Sequence, residues 1–273
     1  MREPASFADF EHAGWETIPN RYDEAFGQLT SQTIEPLLNA VGVKTGDKFL
    51  DIACGPGYVA AAAGKRGATV VGVDFSAAMV RHARYRHSDL DFREGDAEKL
   101  VFADGLFDAA AMNFGILHLA RPEQALSEAG RILRPGGRFA FSVWAKPEET
   151  IGFGIVLRAV AAYGQPAVAL PEGPPFFRYS DPAECVSGLL SAGFEAPAVI
   201  KIQQVWRLPV GDGLFQAMRD STVRTAGLLR AQEPAVSERI RDAIRAEVQT
   251  YAKGALVELP MPALIASAVK PQS

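Results

Sequence analysis

The sequence predicts an α/β protein with a doubly wound, mostly parallel sheet. Between Lys48 and Trp144, short apolar runs alternate with segments of helical pattern, which is typical of βα units. The first apolar run ends in Gly55-Pro56-Gly57, a turn that leads directly into a helix. Because parallel strands need crossover connections of a dozen or more residues, the intervening helices cover the sheet.

Five strands are predicted in this half of the chain: Lys48–Ala53, Ala68–Val73, Leu90–Arg93, Phe107–Asn113 and Arg138–Trp144. The helices between them are expected over Tyr58–Arg66, from Ser76 to Arg86, and from Arg121-Pro122-Glu123 to the Gly136-Gly137 pair. Ser76 has the right chemistry for an N-cap, and proline is favoured in the first turn of a helix.

The flanking segments differ in character from this core, which we place at residues 46–145. Residues 1–45 are predicted to form a helical cap, and residues 146–181 a lid loop, because Pro147–Pro182 holds six of the chain's 18 prolines. In residues 182–273 we expect a helix, a sixth strand over Ala198–Leu208, a helical insertion over residues 211–253 and a seventh strand over Pro262–Val269. The chain is expected to be a single domain, residues 1–273.

Charge and composition exclude several classes of protein. The formal net charge of −4 argues against a general affinity for nucleic acid. The longest stretches without a charged residue have 13 residues, so no membrane span is expected. Arg2 and Glu3 interrupt any leader, which favours a cytoplasmic location. No Cys-x-x-Cys or His-x-x-x-His pair occurs, so we expect no metal site.

The glycine turn after the first strand indicates a nucleotide-like ligand. Gly55-x-Gly57-x-x-Ala60 satisfies a dinucleotide fingerprint, and Asp74 stands 19 residues after Gly55, where an acid that binds ribose belongs. Asp51, at the end of the strand, would attract an ammonium group and repel a pyrophosphate. Gly95-Asp96-Ala97 offers a carboxylate and a backbone N–H side by side, the pair needed to read the edge of adenine.

Together with Phe107–Asn113 and Leu133–Phe139, these motifs resemble the class I S-adenosylmethionine-dependent methyltransferases, and within them the small-molecule, UbiE-like group (methyltransferase type 11). The resemblance covers about Phe49 to Trp144. It implies a Rossmann-like methyltransferase fold with seven strands, the last antiparallel to the rest. It also implies S-adenosyl-L-methionine as the cofactor.

The same resemblance assigns roles to individual residues. It implies that Asp51, Ala53, Gly55 and Gly57 surround the methionine part of the cofactor, and that Asp74 accepts the ribose hydroxyls. Phe75 and Met79 would pack on the adenine, while Asp96 and Ala97 would hold its edge. Asn113 and Phe114 would lie beside the sulfonium, and Tyr22 would reach the cofactor carboxylate.

The expected reaction is methyl transfer to an O, N or C atom of a small molecule, such as an aromatic or quinone-like metabolite. Our candidate base is His118, which follows the fourth strand, and Asn113 is a second catalytic candidate. A pocket for a flat acceptor is predicted from aromatic residues: Trp15, Trp144, Phe176, Phe177 and Tyr179.

Two alternatives are kept. One is an NAD(P)-linked oxidoreductase, which the glycine spacing permits, and the other is a cofactor-binding protein without transfer activity. The buried-thiol interpretation of Cys54 is favoured over a reactive nucleophile, since no base stands near it in the sequence. Neither composition nor spacing distinguishes a monomer from a homodimer.

Overall fold

The computed structural model describes residues 6–272. Arg2 and Glu3, on which the argument about a leader depends, lie outside the described residues, as do the first five residues of the predicted cap. Within residues 6–272, every helix is too short or too polar to cross a membrane.

The described chain alternates helices and strands as follows. The α-helices are α1 (Phe7–Thr17), α2 (Pro19–Thr30), α3 (Ile34–Val41), α4 (Tyr58–Lys65), α5 (Ala77–Arg86), α6 (Pro122–Ile132), α7 (Ile151–Tyr163), α8 (Pro182–Ser191), α9 (Gly213–Asp220), α10 (Arg224–Arg230) and α11 (Pro234–Val248). The strands are β1 (Lys48–Ile52), β2 (Thr69–Asp74), β3 (Asp91–Glu94), β4 (Phe107–Asn113), β5 (Leu133–Trp144), β6 (Glu195–Ile202), β7 (Val205–Pro209), β8 (Ala252–Lys253), β9 (Leu256–Pro260) and β10 (Ala263–Val269). Short 3-10 helices cover Ser31–Thr33, Ile116–His118, Arg178–Ser180 and Gln249–Tyr251.

The main sheet has seven strands in the order β3-β2-β1-β4-β5-β10-β6. Strands β1 to β5 pair in parallel, and β10 runs antiparallel to both of its neighbours. The predicted fold class is therefore confirmed, including the antiparallel last strand. Since the chain winds outward from β1 in both directions, the strand order reverses between β1 and β4, and doubly wound sheets bind ligands at such a point.

The described chain divides into two compact units. The sheet unit contains Thr30–Trp144, Pro174–Ile202 and the residues from Ala263 onward. The small unit contains the residues up to Leu29, Ala145–Gly173 and Gln203–Pro262.

In the sheet unit, apolar residues pack on both faces of the seven strands. On one face, α3, α4 and α5 bury a cluster that includes Leu37, Phe49 and Phe92. Helices α6 and α8 pack on strands β5, β6 and β10. Helix α3 thus belongs to the body of the sheet unit, although its residues fall within the segment predicted to be a cap.

The small unit has its own three-stranded antiparallel sheet, in the order β7-β9-β8. Helix α7 packs against α11 and β9. Helix α11 buries one face, because Ile240, Ile244 and Val248, which are spaced four apart, are all buried. Strands β8 and β9 were not predicted: β8 occupies the last two residues of the expected helical insertion, and β9 follows it.

Two predicted elements were wrong in extent. The predicted strand Ala198–Leu208 is two strands, β6 and β7, that belong to different sheets. Apolar residues occur on both sides of the polar pair Gln203-Gln204, and such a pair can also lie inside one continuous strand, so the pattern does not show where the pairing partner changes. In addition, β5 begins at Leu133 instead of Arg138, and the Gly136-Gly137 pair lies inside the strand instead of marking a helix end.

The segment predicted to be a lid loop contains helix α7, which has 13 residues. The prolines of this segment all lie outside the stretch from Glu148 to Gln165. Within that stretch, α7 is a largely buried apolar helix. The number of prolines in the whole segment therefore did not indicate that a proline-free stretch within it forms a helix.

Candidate functional site

The candidate site residues lie at the carboxyl ends of adjacent strands. Asp51 of β1 is in register with Ala111 of β4 and with Gly72 of β2. Asp74 lies two residues after Gly72 in the chain, and Asn113 lies two residues after Ala111. Because these strands are parallel, the loops that carry the predicted residues emerge at one edge of the sheet.

Asp51 is a buried acid with only half of its hydrogen-bonding capacity used. Its side chain is 1% exposed, and its Oδ2 accepts a hydrogen bond from the Ala60 N–H at 2.9 Å. Its Oδ1 is buried without a hydrogen-bond partner. Burial raises the pKa of Asp51 to about 8, an effect that the Ala60 N–H opposes and the charge of Asp74 reinforces. Such a carboxylate would be stabilised by a cationic ligand.

The turn after β1 has a backbone that favours glycine. Gly55 and Gly57 have φ angles of +49° and +83°, and Ala53 has a φ of +54°, which is uncommon for a residue with a side chain. A Cβ at Gly55 would meet no atom within 4 Å, whereas one at Gly57 would lie 2.6 Å from the Phe92 ring. Gly57 therefore serves the packing of the turn, and Gly55 borders open space.

Asp74 holds the glycine turn against the end of β2. Its Oδ2 accepts from the Gly55 N–H at 2.8 Å, and its Oδ1 accepts from the Ser76 N–H at 2.9 Å. The Ser76 hydroxyl in turn accepts from the Met79 N–H, which confirms Ser76 as the N-cap of α5. Each oxygen of Asp74 thus accepts from a backbone N–H, one after β1 and one after β2.

The residues predicted to hold an adenine ring follow β2 and β3. Phe75 is partly exposed at the start of α5, and Met79 is 3% exposed within it. Asp96 is exposed, and its Oδ1 accepts from the Glu98 N–H at 2.8 Å. Ala97 is buried. Their role toward an adenine ring stays a prediction.

Asn113 lies at the centre of a hydrogen-bonded network. Its Oδ1 accepts from the Thr33 hydroxyl at 2.7 Å and from the Ser142 hydroxyl at 2.5 Å. Its Nδ2 donates to the Thr30 carbonyl at 3.1 Å. Ser142 also accepts from the Phe114 N–H at 2.9 Å. The amide is therefore fixed by three elements of the sheet unit.

The turn after β4 touches the turn after β1. Phe114 has a φ of +57°, and its ring stacks on Trp144 with 4.1 Å between centroids. A Cβ at Gly115 would lie 2.6 Å from the Cβ of Ala53, so only glycine permits this approach. The two strained turns thus support each other at one edge of the sheet.

The other predicted residues are distributed over both units. His118 is partly exposed, and its ring meets Phe176 edge to face, with 6.0 Å between centroids. Phe176 also contacts Phe177. Tyr22 belongs to the small unit, where it stacks on Phe26 and meets Trp15 edge to face. Of the predicted aromatic pocket residues, Trp15 belongs to the small unit, and the others belong to the sheet unit.

Two further residues are part of the hydrophobic interior. Tyr179 is 3% exposed and packs against Phe141, and burial raises the pKa of its hydroxyl to about 12. Its place in the predicted pocket stays a prediction. Cys54 is buried, and burial raises the pKa of its thiol well above the ordinary value, which confirms the interpretation of an unreactive thiol.

Sequence reasoning missed Thr33 and Ser142. Ser142 is the one polar residue in Phe139–Trp144, a run that is otherwise apolar, and it is fully buried. A lone hydroxyl in a buried strand is a signal of a specific partner, because a buried polar group without a hydrogen bond is costly. Thr33 gave no comparable signal, since it lies among polar residues.

Comparison with known proteins supports a specific family for the sheet. Residues 50–141 match the family model described as a methyltransferase domain. A demethylmenaquinone methyltransferase from Beutenbergia cavernae is 41% identical over 121 residues, which cover 42% of this chain and 50% of that protein. The chain spans about half the length of the curated relatives it matches.

Solved structures with low sequence identity share the fold over nearly the whole chain. The [4+2]-cyclase SpnF aligns with a TM-score of 0.61 and 17% identity, covering 99% of this chain and 98% of that one. A phosphoethanolamine N-methyltransferase 2 from Haemonchus contortus, solved with phosphomonomethylethanolamine and S-adenosylhomocysteine, aligns with a TM-score of 0.60 and 20% identity, covering 98% of this chain and 61% of that one.

Proposed function

We propose, from the premise that residues 50–141 form a class I S-adenosylmethionine-dependent methyltransferase domain, that this protein transfers a methyl group from S-adenosyl-L-methionine to a small molecule. The observation that carries this proposal is the buried Asp51 carboxyl with one oxygen unpartnered, next to a glycine turn that borders open space.

The residues of the sheet unit fit the proposed cofactor. An ammonium group would supply the donor that the Oδ1 of Asp51 lacks, and it would lower the pKa of that carboxyl. A side chain at Gly55 would fill the space beside the turn. Asp74 would accept the ribose hydroxyls, and Phe75 and Met79 would offer apolar surface to a base.

Little chemical assistance is required from the chain. When bound, the sulfonium supplies an electrophilic methyl group whose leaving group is already activated by its positive charge. The residues of this chain align the two reactants and exclude water. We place His118 in the role of the base that accepts the proton of a hydroxyl acceptor. Phe114, Trp144 and Phe176 would provide the flat apolar surface beside it.

A quinone-like or phenolic acceptor is the class that we favour. The relative from Beutenbergia cavernae is named for a quinone substrate, and it is 41% identical to this chain over 121 residues. The role of Tyr22, the cytoplasmic location and the absence of a nucleic-acid partner stay predictions.

Calorimetric titration with S-adenosylmethionine, S-adenosylhomocysteine and NADH tests the proposal directly. We expect the two sulfur ligands to bind and NADH not to bind. Asp51→Asn should weaken the binding of both sulfur ligands, and Asp89→Asn, a matched change at an exposed acid, should not. Binding of NADH alone would show an oxidoreductase instead. Binding of the sulfur ligands without turnover of a broad panel of phenols, amines and quinols would favour a protein without transfer activity.

A further inference from the structure

We propose that Asn113 presents a fixed hydrogen-bond donor, which Thr30, Thr33 and Ser142 hold in place. The site therefore selects a methyl-accepting substrate that carries an oxygen lone pair over the matching amine. This inference rests on the proposed function. It adds to it the chemistry by which the acceptor is recognised and two positioning residues, Thr33 and Ser142.

The direction of the Asn113 amide follows from its partners. The Thr30 carbonyl can only accept a hydrogen bond, so the group that faces it must be the Nδ2 of Asn113. The opposite side of the amide faces the hydroxyls of Thr33 and Ser142, which can donate to Oδ1. A flipped amide would place Oδ1 against the Thr30 carbonyl and lose that hydrogen bond.

Ser142 is the more important of the two hydroxyls. The Thr33 hydroxyl has one hydrogen and two acceptors within 2.7 Å, the Thr30 carbonyl and Asn113 Oδ1. Ser142 accepts from the Phe114 N–H, so its own hydrogen is available for Asn113. Ser142 thus joins the amide of Asn113 to the strained backbone of Phe114, and its loss would loosen both.

In this arrangement the hydroxyl oxygens of Ser142 and Thr33 lie 2.5 and 2.7 Å from the Asn113 oxygen, and the Thr30 carbonyl accepts from one of the two N–H groups. Among residues 6–272, the second N–H of Asn113 meets no protein acceptor, and the side chain is partly exposed. At the end of β4, the Asn113 side chain therefore offers a ligand one hydrogen-bond donor, its second N–H, and no hydrogen-bond acceptor. A phenol, enol or carbonyl oxygen is complementary to it, whereas an ammonium group is not. An alkylamine is protonated near neutral pH and then has no lone pair with which to accept a hydrogen bond, whereas an alcohol keeps two.

The test measures binding of matched probes to the protein saturated with S-adenosylhomocysteine. The pairs are benzyl alcohol with benzylamine and 2-phenylethanol with 2-phenylethylamine, at pH 7, where each amine is an ammonium ion and each pair differs only in the polar group. We expect the hydroxyl member to bind more tightly in at least one pair. Asn113→Asp, which removes the donor, should abolish that preference, with a loss of about tenfold or more in affinity for the hydroxyl member. Asn39→Asp is the matched control, since Asn39 is exposed and uses its oxygen as the acceptor for Arg66.

The positioning role is tested with Ser142→Ala and Ser142→Thr. We expect Ser142→Ala to reduce the preference for the hydroxyl probe and to lower kcat for any methylated phenol more than it raises KM, and Ser142→Thr to restore both. Ser127→Ala, at an exposed serine of α6, should change neither. Circular dichroism and the affinity for S-adenosylhomocysteine show whether each variant is folded.

Failure of this inference is distinct from failure of the proposed function. If the wild-type protein does not bind S-adenosylhomocysteine, the proposed function is wrong. If it binds S-adenosylhomocysteine but prefers the amines, shows no preference, binds none of the four probes, or keeps its preference in Asn113→Asp, the donor role of Asn113 is wrong and the proposed cofactor still holds.

Discussion

Each of the two units contains a buried acid, and the two acids differ in how their oxygens are satisfied. Glu11 of the small unit is 0% exposed, and its oxygens accept from Arg224 Nε and Trp15 Nε1, both at 3.0 Å. Asp51 of the sheet unit is 1% exposed and has one backbone N–H for one oxygen and no hydrogen bond for the other.

The comparison shows that burial alone does not identify a functional acid. Glu11 connects α1 to α10 through a closed set of partners, with the Arg224 guanidinium 4.2 Å from the centre of the Phe7 ring. A carboxylate in that setting is structural. Asp51 lacks the donors that a buried carboxylate needs, and a ligand is the natural source of them.

The largest effect on stability is expected from removing Glu11, both of whose oxygens have hydrogen-bond partners. Glu11→Ala should lower the free energy of unfolding by about 3–5 kcal/mol, because Arg224 would stay buried without its partner. Urea denaturation measures this change. The double variant Glu11→Leu with Arg224→Met removes both charges and should recover most of the loss. Equal destabilisation by the single and double variants would contradict the structural role of the pair.

Replacing Asp51, which has an oxygen without a hydrogen-bond partner, should instead raise the stability of the ligand-free protein at pH 8. In the folded, ligand-free protein the pKa of Asp51 is raised to about 8 by burial, from an ordinary 3.8 in the unfolded chain. Between these values the folded state binds a proton that the unfolded chain has released, so the contribution of Asp51 to the free energy of unfolding falls as pH rises from 3.8 to about 8.

Asp51→Asn removes this dependence and keeps an oxygen for the Ala60 N–H. Thermal unfolding should therefore show a higher Tm than the wild type at pH 8 and a similar Tm at pH 4, together with weaker binding of S-adenosylhomocysteine. Asp89→Asn provides the control for a change in total charge. Parallel pH profiles for Asp51→Asn and the wild type would exclude the raised pKa.

A smaller effect on binding is expected at Asp74, whose oxygens already have protein partners. Asp74→Ala should weaken S-adenosylhomocysteine binding by about 1.5–3 kcal/mol, the range for a charge-assisted hydrogen bond. Calorimetry measures the change, and Asp74→Asn separates loss of charge from loss of shape. Unchanged affinity in both variants would show that Asp74 serves only the Gly55 and Ser76 backbone.

The smallest effect is expected at Ser76, which contributes a helix cap. Ser76→Ala should lower the free energy of unfolding by about 1 kcal/mol, since the Met79 N–H loses its acceptor. Ser76→Thr keeps the hydroxyl and should retain most of the stability in urea denaturation. A loss as large as that of Glu11→Ala would mean that Ser76 does more than cap α5.

Much of the fold was predictable because local patterns encode it. The strands from β1 to β4 and the capped helix α5 appear in the sequence as apolar runs, turn residues and a cap, all set by neighbours along the chain. The break between Ile202 and Val205 was not predictable, because a polar pair such as Gln203-Gln204 can also lie inside one continuous strand. Helix α7 was not predicted, because the prolines on either side of it made the whole segment look like a loop.

For the candidate site, the sequence by itself determined the residue types and their order: an acid at the end of β1, a glycine turn, an acid after β2 and an amide after β4. Only the tertiary structure decided which of their atoms are satisfied. The unpartnered oxygen of Asp51, the direction of the Asn113 amide and the contribution of Ser142 depend on hydrogen bonds between residues up to 83 positions apart. Spacing along a chain fixes which face a side chain occupies, but distance and angle between distant groups exist only after the sheet has formed.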